Sequence, residues 1–139
     1  MKTYHIGLLQ AHAYRVLKKY TKRYLAEYEI DDIEWSILGL LYSQESTPGD
    51  IADKLGVEIP FVNKVSNALL EKGFMKKVDH DTDRRTYYFQ LTNSGKELVK
   101  AIEPKLRNQM LHLITPLSPN HLHGYIKTLE KIIKNSKTQ

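Results

Sequence analysis

Cysteine is absent from this chain of 139 residues, which excludes disulfides, thiolate metal sites and thiol-based redox sensing by the chain itself. No apolar stretch approaches membrane-spanning length, and Met1 to Gly7 hold no run of the kind a signal peptide needs. The expected location is therefore cytoplasmic, with no membrane partner. Also missing are a Gly-x-Ser-x-Gly elbow, a phosphate-binding loop and a dinucleotide fingerprint. Their absence argues against an enzyme, and no cofactor is expected. The six histidines, His5, His12, His80, His112, His121 and His123, form no i, i+4 helical pair, so no metal site is expected either. Internal repeats, low-complexity segments and long linkers are missing too. What remains is one domain-sized chain, able to bury about 68% of its unfolded surface at this length.

Positive charge is present in excess, and unevenly. The net charge is +5, yet residues 1–28 carry +5, 29–59 carry −7, 60–92 carry +2 and 93–139 carry +5. With a sequence pI near 9.3, this balance suits a polyanionic partner; lysine-rich solvated helix faces would give the same numbers.

Apolar periodicity organises the chain. Ile6, Leu9, Ala13, Leu17, Tyr20, Tyr24 and Tyr28 recur every three to four residues and predict one long amphipathic helix. Asp31 or Asp32 can cap the next, with Ile33, Ile37, Leu40 and Leu41 as its buried stripe around Trp35 and a break at Ser43 to Ser46. Thr47-Pro48-Gly49-Asp50 reads as a helix start, with Thr47 as N-cap, Pro48 at the first position and Asp50 as capping-box partner. Gly56 ends that helix. The following helix is expected from Pro60, with Ile59 as its cap, an inward stripe of Val62, Val65, Leu69 and Leu70, and a stop at Gly73. Thr92 can cap a fifth helix carrying Leu98, Ile102, Leu106, Met110 and Leu113, with a kink expected at Pro104. Ser118-Pro119 opens a sixth, through Leu122, Tyr125, Leu129, Ile132 and Ile133.

Between the fourth and fifth helices, Phe74 to Val78 and Thr86 to Leu91 read as two β-runs joined by the polar segment Asp79 to Asp83. Arg84 and Arg85 then stand at a hairpin tip, where guanidinium groups reach toward something anionic. The helix pair before it, from Thr47 to Gly73, is the arrangement that lets one helix lie in a DNA major groove. The expected fold class is mainly α with a small β component, a winged helix of six helices and a two-stranded hairpin wing. The first and the two terminal helices carry more apolar periodicity than so small a winged lobe could cover, which leaves an intramolecular bundle or a second copy of the chain to bury it.

These residues carry a resemblance over nearly the whole chain to the MarR (multiple antibiotic resistance regulator) family of transcription factors. The wing pattern Asp-x-Arg, five residues, then Leu-Thr with a glycine soon after is met by Asp83, Arg85, Leu91, Thr92 and Gly95. Trp35 falls where the family often has an aromatic, and Leu69, Gly73 and Phe74 match its helix ending. The resemblance implies a helical dimerisation region of residues 1–29 and 93–139 and a DNA-binding lobe of residues 30–92. It further implies a homodimer through Ile6, Leu9, Leu113, Leu122, Tyr125, Leu129 and Ile132, and a ligand-responsive repressor on inverted-repeat double-stranded DNA.

Residue by residue, Asn63 and Asn67 lie about one turn apart and suit adenine edges, while Lys64 suits a guanine edge or a phosphate. Phe61, where the family usually has a small or hydroxyl residue, can touch thymine methyls or pack between helices. Arg85, with Arg84 beside it, would enter the minor groove, and Asp83 would hold an arginine in position. Each of these side chains can also be an ordinary solvated helix or turn residue. Glu58 stands where the family tends to offer a hydroxyl cap. A small aromatic or anionic effector is implied as well, for which His12 and Arg15, sharing a helix face, and Trp35 as an apolar wall are the candidates. The alternative is a winged-helix protein-interaction module that does not bind DNA.

Overall fold

The computed structural model describes residues 1–79 and 86–138, in two compact units, Met1–Leu106 and Arg107–Gln139. The chain runs through α1 (Thr3–Leu25), a 3-10 turn (Ala26–Tyr28), α2 (Asp32–Ser43), α3 (Pro48–Leu55), α4 (Ile59–Glu71), β1 (Met75–Asp79), β2 (Tyr87–Leu91), α5 (Asn93–Ile114) and α6 (Pro119–Ser136). These are the six helices and the hairpin expected from the sequence. No described helix is long and apolar enough to cross a membrane.

Asp31 caps α2 through a full box: its side chain accepts from the Glu34 N–H at 2.8 Å, and Glu34 Oε1 accepts from the Asp31 N–H at 3.1 Å. The buried face of α2 is Glu34, Ile37, Leu38 and Leu41, whereas Ile33 and Leu40, expected inside, are half-buried. The stripe is turned because a carboxylate sits in it. Lys72 makes this tolerable, since its Nζ donates to Glu34 Oε2 at 2.9 Å and to the Glu29 carbonyl at 2.7 Å, tying the end of α4 to the start of α2. Lys72→Met removes the counter-charge from a carboxylate that is 8% exposed. With Lys72 itself a third exposed, the expected loss is about 1 to 2 kcal/mol by denaturant titration, and an unchanged midpoint would show that solvent satisfies Glu34.

Thr47 caps α3 by accepting from the Asp50 N–H at 3.1 Å, which realises the capping half of the expected box. The start of α4 differs from expectation. Glu58, not Ile59, is the N-cap residue, and its side chain makes no capping bond. Pro60 thus falls one position further in, where the first turn still requires no N–H from it. Inward from α4 point Val62, Ser66 and Leu69, with Val65 and Leu70 half-buried. A serine escapes an apolar pattern. Its Oγ, buried, has no hydrogen-bond partner among the described residues.

β1 and β2 pair antiparallel from Met75↔Leu91 to Asp79↔Tyr87. Ser46 extends this hairpin at one point, donating to the Phe89 carbonyl at 3.2 Å and accepting from the Phe89 N–H at 2.8 Å. Phe89, Leu25, Ile37, Leu38, Ile51, Val62, Leu69 and Ile102 are the fully buried apolar side chains around which α1 to α5 and the hairpin assemble. Behind the hairpin, Thr92 joins three segments: its N–H donates to the Phe74 carbonyl at 3.1 Å, its Oγ1 donates to the Gly73 carbonyl at 2.6 Å, and the Gly95 N–H donates to that Oγ1 at 3.1 Å. Gly73 itself has φ +79°, a conformation that glycine adopts without strain. Helix α5 continues through Pro104. In the second unit, Ser118 caps α6 in a box with His121.

Candidate nucleic-acid interface

A short turn at Gly56, whose φ of +70° suits glycine, carries the chain from α3 to α4. Because Val62, Ser66 and Leu69 face the core, the opposite side of α4 is left with Phe61, Lys64 and Asn67, all exposed and three residues apart. That spacing aligns them along one face. It is an aromatic edge, an ammonium and an amide, a set able to meet methyl groups, phosphates or acceptors, and base edges. Exposed Glu58 adds a negative charge at the start of the same helix.

Asn63 is placed otherwise. It lies one turn from Asn67 but is half-buried, at the edge of the exposed face where its Oδ1 accepts from the Tyr87 hydroxyl at 3.3 Å. Tyr87 opens β2 and is itself held from two sides. The Phe89 ring meets it edge-on at 5.5 Å between centroids, and Lys77 Nζ lies 4.8 Å from its centre, within cation–π range. Lys76 and Lys77 are exposed on β1, on opposite faces of the strand, so that Lys77 is the cation on the Tyr87 side. Asp83, Arg84 and Arg85, along with His80, lie outside the described residues.

Tyr87, Lys76 and Lys77 were missed in the sequence as parts of this surface. The alternation of Tyr87, Phe89 and Leu91 marks the inward side of β2, but which helix the first of them touches depends on tertiary packing. Among the effector candidates, His12 and Arg15 are exposed on α1, and Trp35 is half-buried on α2. Among the described residues no group of three or more histidines and carboxylates converges on a point. The Nδ1 of His121 is engaged locally, accepting from the Ser118 N–H at 3.3 Å.

The same fold is found in solved proteins. Over 137 residues the chain is 23% identical to the HTH-type transcriptional regulator MhqR of Bacillus subtilis (strain 168), covering 98% of this chain and 94% of that protein. CouR of Rhodococcus jostii RHA1, solved bound to p-coumaroyl-CoA, superposes with a TM-score of 0.87 at 17% identity, covering 92% of this chain and 91% of that one. MepR of S. aureus, solved as a DNA complex, gives 0.78 at 22% identity over 97% and 98% of the two chains. Residues 32–87 match the MarR family model. That match runs from the first residue of α2 to the first of β2, so the helix pair and the start of the hairpin are similar to the MarR family.

Proposed function

We propose that this protein is a sequence-specific double-stranded DNA-binding transcriptional regulator, a ligand-responsive repressor acting as a homodimer on an inverted-repeat operator. The observation that carries the reading is the face of α4, where Phe61, Lys64 and Asn67 stand clear of the core beside a hairpin bearing Lys76 and Lys77. That MepR was solved with DNA in this fold supports it.

The dimer rests on apolar surface left open. On α1, Ile6, Leu9 and Tyr14 are exposed, and α5 and α6 add Leu113, Leu122, Tyr125 and Ile132, with Leu129 half-buried. Exposed apolar surface in this quantity marks an interface. Residues 1–29 and 93–139 form the dimerisation region, and a twofold pair sets two copies of α4 in successive major grooves. Lys64 then serves a guanine edge or a phosphate, Asn67 an adenine edge and Phe61 a thymine methyl, while Arg84 and Arg85 enter the flanking minor groove with Asp83 holding an arginine. The effector is a small aromatic or anionic compound held by His12, Arg15 and Trp35; NadR, a similar structure, was solved with such a compound, 4-hydroxyphenylacetate. Effector binding lowers affinity for the operator.

Selection of bound sequences from random DNA by the purified protein tests this directly. Recovery of an inverted repeat, with half-sites about one helical turn apart, is expected; recovery of no enriched sequence would overturn the assignment. On the selected site, Arg85→Ala is expected to weaken binding by roughly 1 to 3 kcal/mol in a fixed-salt titration. A second reading, a protein-interaction module, draws on Ile59 and Phe61, both at least 40% exposed, beside Glu58. A protein partner bound with little salt dependence would favour it.

A further inference from the structure

We infer that Tyr87 is a positioning residue that fixes the Asn63 amide for base reading, so that the wing strand and the recognition helix read DNA as one unit. The inference rests on the DNA-binding function proposed above and concerns how that surface chooses among bases.

An asparagine on a helix face can offer donor and acceptor together, which is the pairing an adenine edge accepts. Asn63 has less of that freedom. Its Oδ1 accepts from the Tyr87 hydroxyl at 3.3 Å, and the ring bearing that hydroxyl is confined by Phe89 on one side and Lys77 on another. The hydroxyl takes one of the two lone pairs of Oδ1, so β2 sets the amide orientation and biases its remaining hydrogen bonding toward the two donors of Nδ2. Donors seek acceptors. In the major groove guanine presents two of them side by side, N7 and O6, whereas adenine presents one acceptor next to a donor. Asn63 held in this way favours guanine over adenine at the base it reaches.

Tyr87→Phe removes the hydroxyl and keeps the ring. Sequence selection with this variant is expected to move preference at one symmetric pair of positions toward adenine, by roughly five- to tenfold, leaving the other positions as in the unmutated protein. In an Asn63→Ala background, Tyr87→Phe should change affinity no further. Lys77→Met, which frees one side of the ring while leaving the hydroxyl, is a second variant expected to shift the same positions less. In the DNA-free protein, the Asn63 side-chain amide resonance, assigned by its loss in Asn63→Ala, should move toward solvent-exposed values in Tyr87→Phe. An unmoved amide resonance, an unchanged base preference, or additive losses in the double variant would each overturn the inference. If the unmutated protein retained no DNA, the regulatory reading would fall instead, and the amide resonance would still decide whether Tyr87 holds Asn63.

Discussion

Replacing Gly95 with alanine is expected to destabilise the protein by about 3 kcal/mol or more, seen as a fall of roughly 10 °C in the thermal midpoint. A Cβ at this position would stand 2.1 Å from the Phe74 carbonyl oxygen and 3.2 Å from Leu91 Cδ2. Backbone oxygen cannot swing aside as a side-chain tip would. This one is also fixed by the Thr92 N–H that donates to it at 3.1 Å, so relief of the clash separates the start of α5 from the segment leading into β1. Requirement for glycine here comes from space, in contrast to Gly56 and Gly73, where it comes from positive φ. The loss should appear in the isolated protein without DNA, and an alanine variant of undiminished stability would mean that α5 enters at a wider distance from Phe74.

Raising salt from 50 to 200 mM is expected to weaken operator binding by about 10³- to 10⁵-fold, the range for a protein making six to ten phosphate contacts. In the proposed twofold pair, Lys64, Lys76 and Lys77 of each protomer, with Arg84 and Arg85, would supply cations for contacts of this number. Each releases condensed counterions on binding, so the logarithm of affinity should fall linearly with the logarithm of salt concentration. Lys76→Ala should then reduce the slope by about one per protomer in contact while leaving base preference unchanged. A flat salt response would point away from nucleic acid and toward the protein-interaction reading.

Much of this molecule was legible in its residues because local chemistry and tertiary packing agree. Thr47, Gly56, Gly73 and Ser118 act as helix punctuation in the structure, as their types and spacing indicate. The wing pattern of Leu91, Thr92 and Gly95 also has a physical account: burial of Leu91, the three-way hydrogen bonding of Thr92 and the close approach at Gly95. Those positions shape the hairpin's root and need not touch DNA. Less legible were sites where a polar residue is buried. Glu34 turns the inward face of α2 because Lys72, 38 residues away in sequence, neutralises it, and Ser66 occupies an inward position of α4 that the apolar pattern assigns to its neighbour Val65. The cap of α4 moved from Ile59 to Glu58 because proline is accepted throughout a first turn and does not mark one position in it. Asn63 looked like a free base reader, and the hydroxyl 24 residues away that engages it leaves no mark on helical periodicity.

The single-residue bridge at Ser46 has a bearing on solubility. A hairpin of two strands leaves a row of unpaired amides and carbonyls on each outer side, a template on which another chain can stack. On the β2 side, Ser46 occupies both backbone groups of Phe89 at the middle of the strand, while on the β1 side consecutive lysines, Lys76 and Lys77, face solvent and repel an incoming copy of themselves. One occupied backbone position on the β2 side and two adjacent charges on the β1 side thus work against addition of a further strand to this hairpin.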